Sequence, residues 1–256
     1  MLWWIAVAIG VVVAIAVVNV QSANAAVTSI SYAMSNNGNS VVLICLSTSA
    51  GVSAVSGLSG TWTHVKAEAQ STFQATDIWL GAACTGSGNI TLTTGGSTAY
   101  KLLETSGMVT GAADATAGAP AAGPGTLNAT ITTLTANDLI VVGDSGQNDM
   151  TTPPASPWTS GILNNGTSAA AAGWAYQIVT SATTYTATFS GQTGFNRWAA
   201  AAFAPAAAPP SYIPQPRRST TALHRAASYF SDVSWQERKS GLSVPGFADR
   251  LVIAGA

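Results

Sequence analysis

Charge is what this chain has least of. Only 7% of its 256 residues are Asp, Glu, Lys or Arg, against about 25% in ordinary soluble domains. The formal net charge is -1. Nucleic-acid binding by phosphate neutralisation needs a dense basic stripe, so composition excludes that partner class. No Asp, Glu, Lys or Arg precedes Lys66. Cysteine is almost as scarce, with Cys45 and Cys84 alone. Two cysteines make no four-ligand zinc site, and their separation is not that of a CxxC motif. In an oxidising compartment they could pair as a disulfide, or they could be two buried free thiols acting as small hydrophobes. Both readings stay open. A helical period of 3.6 is also missing from the body of the chain, where turn signals recur about every ten residues instead.

What is present begins with an apolar run. Leu2 to Val20 reads LWWIAVAIGVVVAIAVVNV, and Ala23-Asn24-Ala25 follows it. That tripeptide fits the small-x-small site of a secretory signal, so a cut is expected after Ala25. An uncleaved anchor is the alternative, since about 19 apolar residues can just span a bilayer. Either way an apolar signal or anchor helix is expected over residues 1–25, with the rest of the chain exported, secreted or held at the outer surface. Any membrane contact is through residues 1–25.

The body then states one script twice. Trp62-Thr63 and Trp158-Thr159 stand 96 positions apart (158 minus 62), and Trp79 and Trp174 stand 95 apart (174 minus 79). Internal similarity at one period points to a fold built from repeated units. Strands are expected over Thr28 to Ser35, Val41 to Leu46, Thr61 to Ala69, Thr76 to Ala82, Asn89 to Thr94 and Thr98 to Thr105. The second set is Leu127 to Leu134, Leu139 to Val142, Trp158 to Leu163, Ala169 to Thr180, Thr184 to Ser190 and Arg197 to Ala204. Val41 to Leu46 is apolar without alternation, which suits a strand covered on both faces. The expected layout is a first β half over 26–106, an irregular connector over 107–126, a second half over 127–206, and a Pro/Ala linker with a basic tail over 207–256. A short helix is expected near Thr220 to Phe230.

The segments TLTANDLIVVGDS (Thr133 to Ser145), YQIVTSATTYTATFS (Tyr176 to Ser190) and GFNRWAAAAFAPA (Gly194 to Ala206), with TWTHVKAEA and KLLETSG in the first half, carry a likeness. Residues 27 to 206 resemble duplicated, Ala/Thr/Gly-rich β-sandwich domains of exported bacterial proteins and of phage virion or tail proteins. The resemblance implies an all-β, immunoglobulin-like sandwich of two homologous halves, in a structural or binding role with no assigned active site.

Candidate chemistry is sparse. Gly143-Asp144-Ser145-Gly146 is similar to the sequence around the nucleophile of trypsin-like proteases, and His64 and Asp77 lie upstream. A triad needs the His within hydrogen-bond reach of the Ser. His64 lacks the expected flanking residues and Asp77 follows it too soon, so a turn is the better reading of the GDSG. His64, Lys66 and Glu68 alternate on one strand and are expected to share a face, either a ligand face or a solvated one. Asp138, Asp144 and Asp149 cluster near one loop and are candidate Ca²⁺ ligands, although no EF-hand pattern is present. The body tryptophans suit core packing better than a sugar-stacking platform, because four of them recur in pairs. Three Asn-x-Thr triplets (Asn89, Asn128, Asn165) matter only in a glycosylating host. The expectation is a non-catalytic exported structural or adhesive module with no cofactor and a protein or glycan surface partner. A carbohydrate-binding module is the alternative, and a secreted hydrolase the third reading.

Overall fold

The computed structural model describes residues 13–24, 27–48, 50–70, 74–108, 111–121, 124–146, 150–164 and 171–207. The described residues are all-β, and every strand pairing is antiparallel. The first eight strands are β1 (Ala16–Ala23), β2 (Ser29–Ala33), β3 (Ser40–Ser47), β4 (Val52–Ser56), β5 (Thr61–Gln70), β6 (Gln74–Ala82), β7 (Ser87–Thr94) and β8 (Thr98–Ser106). They are followed by β9 (Ala115–Ala121), β10 (Gly125–Thr132), β11 (Leu139–Gly146), β12 (Thr159–Asn164), β13 (Ala171–Ile178), β14 (Thr184–Gln192) and β15 (Asn196–Phe203). The described residues form one compact unit. The tail from 208 on, with its expected short helix, lies outside the described residues.

Four sheets build this unit. One five-stranded sheet runs β1-β8-β3-β6-β5 and another runs β12-β13-β11-β15-β9. They pack against each other through Val42, Ile44, Ile78, Leu80 and Leu103 on one side and Leu139, Val141, Ala199, Ala201 and Phe203 on the other. The sheet β2-β7-β4 covers the far face of the first, burying Leu43, Trp79, Ile90 and Leu102. The pair β10-β14 covers the far face of the second, burying Ile140, Val142, Ala187 and Phe189. The two halves therefore share a core. Each central strand is covered on both sides, so β3 and β11 are buried at all eight positions. This is why they read as continuous apolar runs rather than alternating ones. Fully burying each such Ile, Leu or Phe contributes about 1.5–3 kcal/mol.

Small residues let the central sheets approach. A Cβ on Gly143 of β11 would lie 2.5 Å from Ile44 Cγ2 and 2.8 Å from Thr76 Cγ2 of the facing sheet. Two hydrogen bonds cross the same seam, Ser145 Oγ to the Ser47 carbonyl at 2.9 Å and Thr76 Oγ1 to the Arg197 carbonyl at 2.6 Å.

The strands differ from expectation in four places. The described part of the expected signal or anchor helix is a strand, β1, whose Val-rich stretch pairs with the β8 edge. β-Branched residues favour this, and the ladder satisfies backbone groups that a helix would satisfy internally. Among the described residues no helix is long and apolar enough to cross a membrane. The irregular connector contains β9, an edge strand on β15. Its Ala, Gly and Pro carry no strand signal, and Pro120 is tolerated because one side of an edge strand needs no donors. The Gly143-Asp144-Ser145-Gly146 stretch is the buried end of β11 rather than a turn. β4 has no counterpart in the sequence reading, since VSAVS sits in a Ser/Gly-rich stretch that lacks a clear period.

Candidate functional site

Nine charged side chains fall in the described residues: Lys66, Glu68, Asp77, Lys101, Glu104, Asp114, Asp138, Asp144 and Arg197. None of them is exposed; each is buried or half-buried. A buried charge is costly unless it is paired and hydrogen-bonded, so the partners of each one define what the interior chemistry does.

Asp77 sits on β6 and faces the interior of the first half. Its Oδ1 accepts from His64 Nε2 at 2.9 Å, and its Oδ2 accepts from the Val52 N–H of β4 at 2.9 Å. The His64 ring stacks on Trp79, with centroids 4.2 Å apart and planes 2° from parallel. The carboxylate thus ties β4, β5 and β6 together. Gly51 allows the close approach, since a Cβ there would lie 2.5 Å from Asp77 Oδ2.

Strict alternation puts His64, Lys66 and Glu68 on one face, and the structure separates them. A bulge between His64 and Lys66 shifts the register, so His64 lies opposite Trp79 while Lys66 lies opposite Ile78. An extra residue in one strand moves the side chains beyond it to the other face. His64 therefore joins the first half, whereas Lys66 and Glu68 face the second. Those two pair at 2.8 Å and lie over β9, where a Cβ on Gly118 would meet Glu68 Cγ at 2.5 Å and Lys66 Cε at 2.9 Å.

The His64–Asp77 pair is the acid–base half of a triad, but the third member is elsewhere. Ser145 lies between the two central sheets, bonded to the Ser47 carbonyl, and β3 and β6 stand between it and the face that carries His64. Ser145 and His64 are not brought together.

Glu104 on β8 is the most completely satisfied carboxylate. It accepts from the Tyr32 hydroxyl (3.0 Å), the Ser35 hydroxyl (2.6 Å) and N–H (3.0 Å), the Asn36 N–H (3.2 Å) and Asn39 Nδ2 (2.6 Å). Burial alone would raise its pKa, but the donors from Ser35, Asn39 and Asn36 outweigh burial and hold it below the usual carboxylate range. The same contact raises the Tyr32 hydroxyl, through burial first and then through Glu104. Sequence reasoning missed this nest. Its signal was a lone acid inside the apolar run of β8.

The acids that suggest a loop Ca²⁺ group do not converge. Asp138 directly precedes β11 and Asp144 lies near its far end, roughly 20 Å away at about 3.3 Å per residue, and Asp149 lies outside the described residues. Asp138 is fully buried and lies against Asp114, whose Oδ2 accepts from the Leu134 and Thr135 N–H groups at 2.7 and 3.2 Å. Burial, joined by the neighbouring Asp114 carboxyl, pushes Asp138 up to about 6. Asp144 is also fully buried, and Gln192 Nε2 donates to its Oδ2. Burial raises its pKa well above the usual carboxylate range. Among the described residues no three His, Cys, Asp or Glu side chains gather as a metal site.

Cys45 and Cys84 are both buried free thiols in the core of the first half. Burial, joined by the Asp77 charge, pushes the Cys45 thiol well up, and burial takes Cys84 to about 11. A thiol kept protonated is a poor nucleophile. Lys101 on β8 is buried at the seam of the two halves, with Nζ 3.9 Å from the centre of the Trp174 ring. Burial lowers its pKa. The body tryptophans all pack on cores: Trp79 and Trp198 are buried, and Trp62, Trp158 and Trp174 are half-buried against the first, second and shared cores.

No protein-family model matches this chain, and no curated protein or solved structure shows significant similarity to it.

Proposed function

We propose that the protein is a non-catalytic, exported structural or adhesive module of a cell surface or virion, built as two homologous immunoglobulin-like halves. The observation that carries this reading is the direction of its charge. The described charged side chains are buried or half-buried, with Asp77 tying strands together and Glu104 tying a strand to a turn, while the outer strands present Ser, Thr and Asn. On β10 and β14 the outward hydroxyls pair across strands, Thr130 with Thr186 at 3.1 Å and Thr132 with Thr184 at 2.8 Å. A stiff scaffold with neutral, hydroxyl-covered faces fits a load-bearing or presenting role better than a reaction centre.

The duplication is supported by strand order. Taking each central sheet from the strand at its Trp-Thr pair, the orders are β5-β6-β3-β8-β1 and β12-β13-β11-β15-β9. Position by position these relate the two halves of the sequence repeat. The inward tryptophans weigh against a sugar platform, which needs rings lying flat on an open face.

A glycan array probed with the full chain tests the reading. The structural module gives no tryptophan-dependent glycan binding. Binding abolished by Trp62→Ala or Trp158→Ala would replace it with the carbohydrate-binding reading. The mature N-terminus, read by mass spectrometry from the native host, tests export. A start at Ala26 would mean that β1 is removed, and a start upstream that it is kept.

A further inference from the structure

The interior of the second half contains polar atoms that the chain does not satisfy. Asp144 on β11 lies opposite Trp198 on β15, and Asn196 lies opposite Gly146. Asp144 and Asn196 are thus diagonal neighbours on one inner face, about 7–8 Å apart, with no direct hydrogen bond between their side chains. Gly146 contributes no side chain between them. Both residues are at most 1% exposed. Asp144 Oδ1 and both Asn196 side-chain atoms have no hydrogen-bond partner. Gln192, at the end of β14, reaches across to Asp144 Oδ2. Buried polar groups are nearly always satisfied, so the two orphaned oxygens on one face, Asp144 Oδ1 and Asn196 Oδ1, call for an occupant.

We propose that Asp144, Asn196 and Gln192 form a binding site for one hard, oxygen-seeking cation inside the second half. The first half shows what is missing. There the buried Asp77 receives His64 on one oxygen and a backbone N–H of β4 on the other. In the second half the N–H groups of Thr151 and Thr152, which follow β11, go to the Ser190 carbonyl instead. No Lys, Arg or His pairs with Asp144 among the described residues. A cation would compensate the carboxylate and take the Asn196 oxygen as a second ligand. Rotation of the Gln192 amide would supply a third oxygen, since amide O and N are assigned from their partners rather than distinguished. With no thiolate or imidazole in the set, the site selects against soft metals. One carboxylate and two amides leave other positions to backbone carbonyls or water, so weak, millimolar-range binding of Ca²⁺ is expected. The site keeps Asp144 from the acids seen in the sequence and replaces Asp138 and Asp149 with two amides.

Terbium(III) is the probe for the test, because Trp198 lies beside Asp144 and can sensitise its emission. The full chain should show tryptophan-excited terbium emission that Ca²⁺ displaces, and its melting temperature should rise with added Ca²⁺. Asp144→Asn should weaken terbium binding by roughly tenfold or more. Asn196→Asp adds a second carboxylate and should tighten binding by about tenfold, which keeps the test decisive if Asp144→Asn does not fold. Emission that is absent, or that is unchanged in Asn196→Asp, would overturn the proposal and leave a proton or water as the occupant.

Discussion

The two halves arrange their central strands in the same order yet satisfy their buried carboxylates in opposite ways. In the first half, Asp77 has a donor on each oxygen and Glu104 has donors from Tyr32, Ser35, Asn36 and Asn39. Its turns supply backbone and side-chain donors that hold Glu104 ionised against the cost of burial. In the second half, Asp144 has one amide donor and Asp138 faces another acid, and burial raises both. The covering layers differ accordingly, with three strands over the first half and two over the second. The strand that delivers the Val52 N–H to Asp77 has only an isolated bridge, Thr152 to Ser190, in the corresponding place. Pro153 and Pro154 come directly after that bridge and cannot donate to a longer ladder. A shared strand order therefore does not impose a shared interior chemistry, and the lengths of the covering strands decide it.

The contrast can be broken most forcefully at Glu104. Glu104→Ala leaves the Ser35, Asn36 and Asn39 donors without their acceptor, and should cost about 3–5 kcal/mol in urea unfolding. Because the folded pKa of Glu104 is lowered, its contribution is present above the unfolded value and is lost as pH falls through the folded one. The variant should therefore lose part of the wild type's acid sensitivity. An acid-unfolding curve with the same midpoint and slope in both proteins would contradict this account.

A smaller effect is expected where the halves meet. Gly143→Ala drives a methyl into Ile44, Thr76 and Leu46 within the shared core, and should cost about 1–3 kcal/mol. Gly118→Ala meets first the movable chains of Glu68 and Lys66 and should cost under about 1 kcal/mol. Equal thermal shifts for the two variants would mean that the central sheets are not closely fitted at Gly143.

His64→Ala removes one donor from Asp77 and the ring over Trp79. His64 is exposed, so a loss of about 1 kcal/mol is expected by thermal melting. The smallest change should be a gain. Asp138 has a folded pKa raised to about 6, so the stability it contributes is full below its unfolded value and lost as pH rises through about 6. Asp138→Asn mimics the protonated form and keeps the acceptor for Thr135. It should melt higher than wild type at pH above 6, and the difference should vanish in acid. A variant less stable than wild type at neutral pH would show that the carboxylate, rather than its proton, is what the site needs.

Much of the architecture is legible in the chain. The continuous apolar runs of Val41 to Leu46 and Leu139 to Val142 announce strands covered on both faces, and the paired tryptophans fall on or beside strands at like positions in the two five-stranded sheets. The misses have physical causes. β1 reads as part of an apolar helix because β-branched apolar residues suit a bilayer helix and an edge strand alike, and hydropathy does not separate the two. β9 reads as connector because Ala, Gly and Pro carry no strand signal and its ladder comes entirely from β15. His64 and Lys66 fall together under strict alternation, and a bulge is invisible to a period of two. The polar niche at Asp144 is half visible, as an acid inside an apolar strand. The other residues of the proposed site, Asn196 and Gln192, are 52 and 48 positions further along the chain (196 minus 144 and 192 minus 144).

Local residue choice thus settled that the described residues make strands, and which of them lie at the centre, because burial on two faces demands uninterrupted apolar side chains. Which faces the charges occupy, and which carboxylates end up satisfied, depended on register, on one bulge and on the length of the covering strands. Those are contacts between distant segments, and no run of neighbouring residues encodes them.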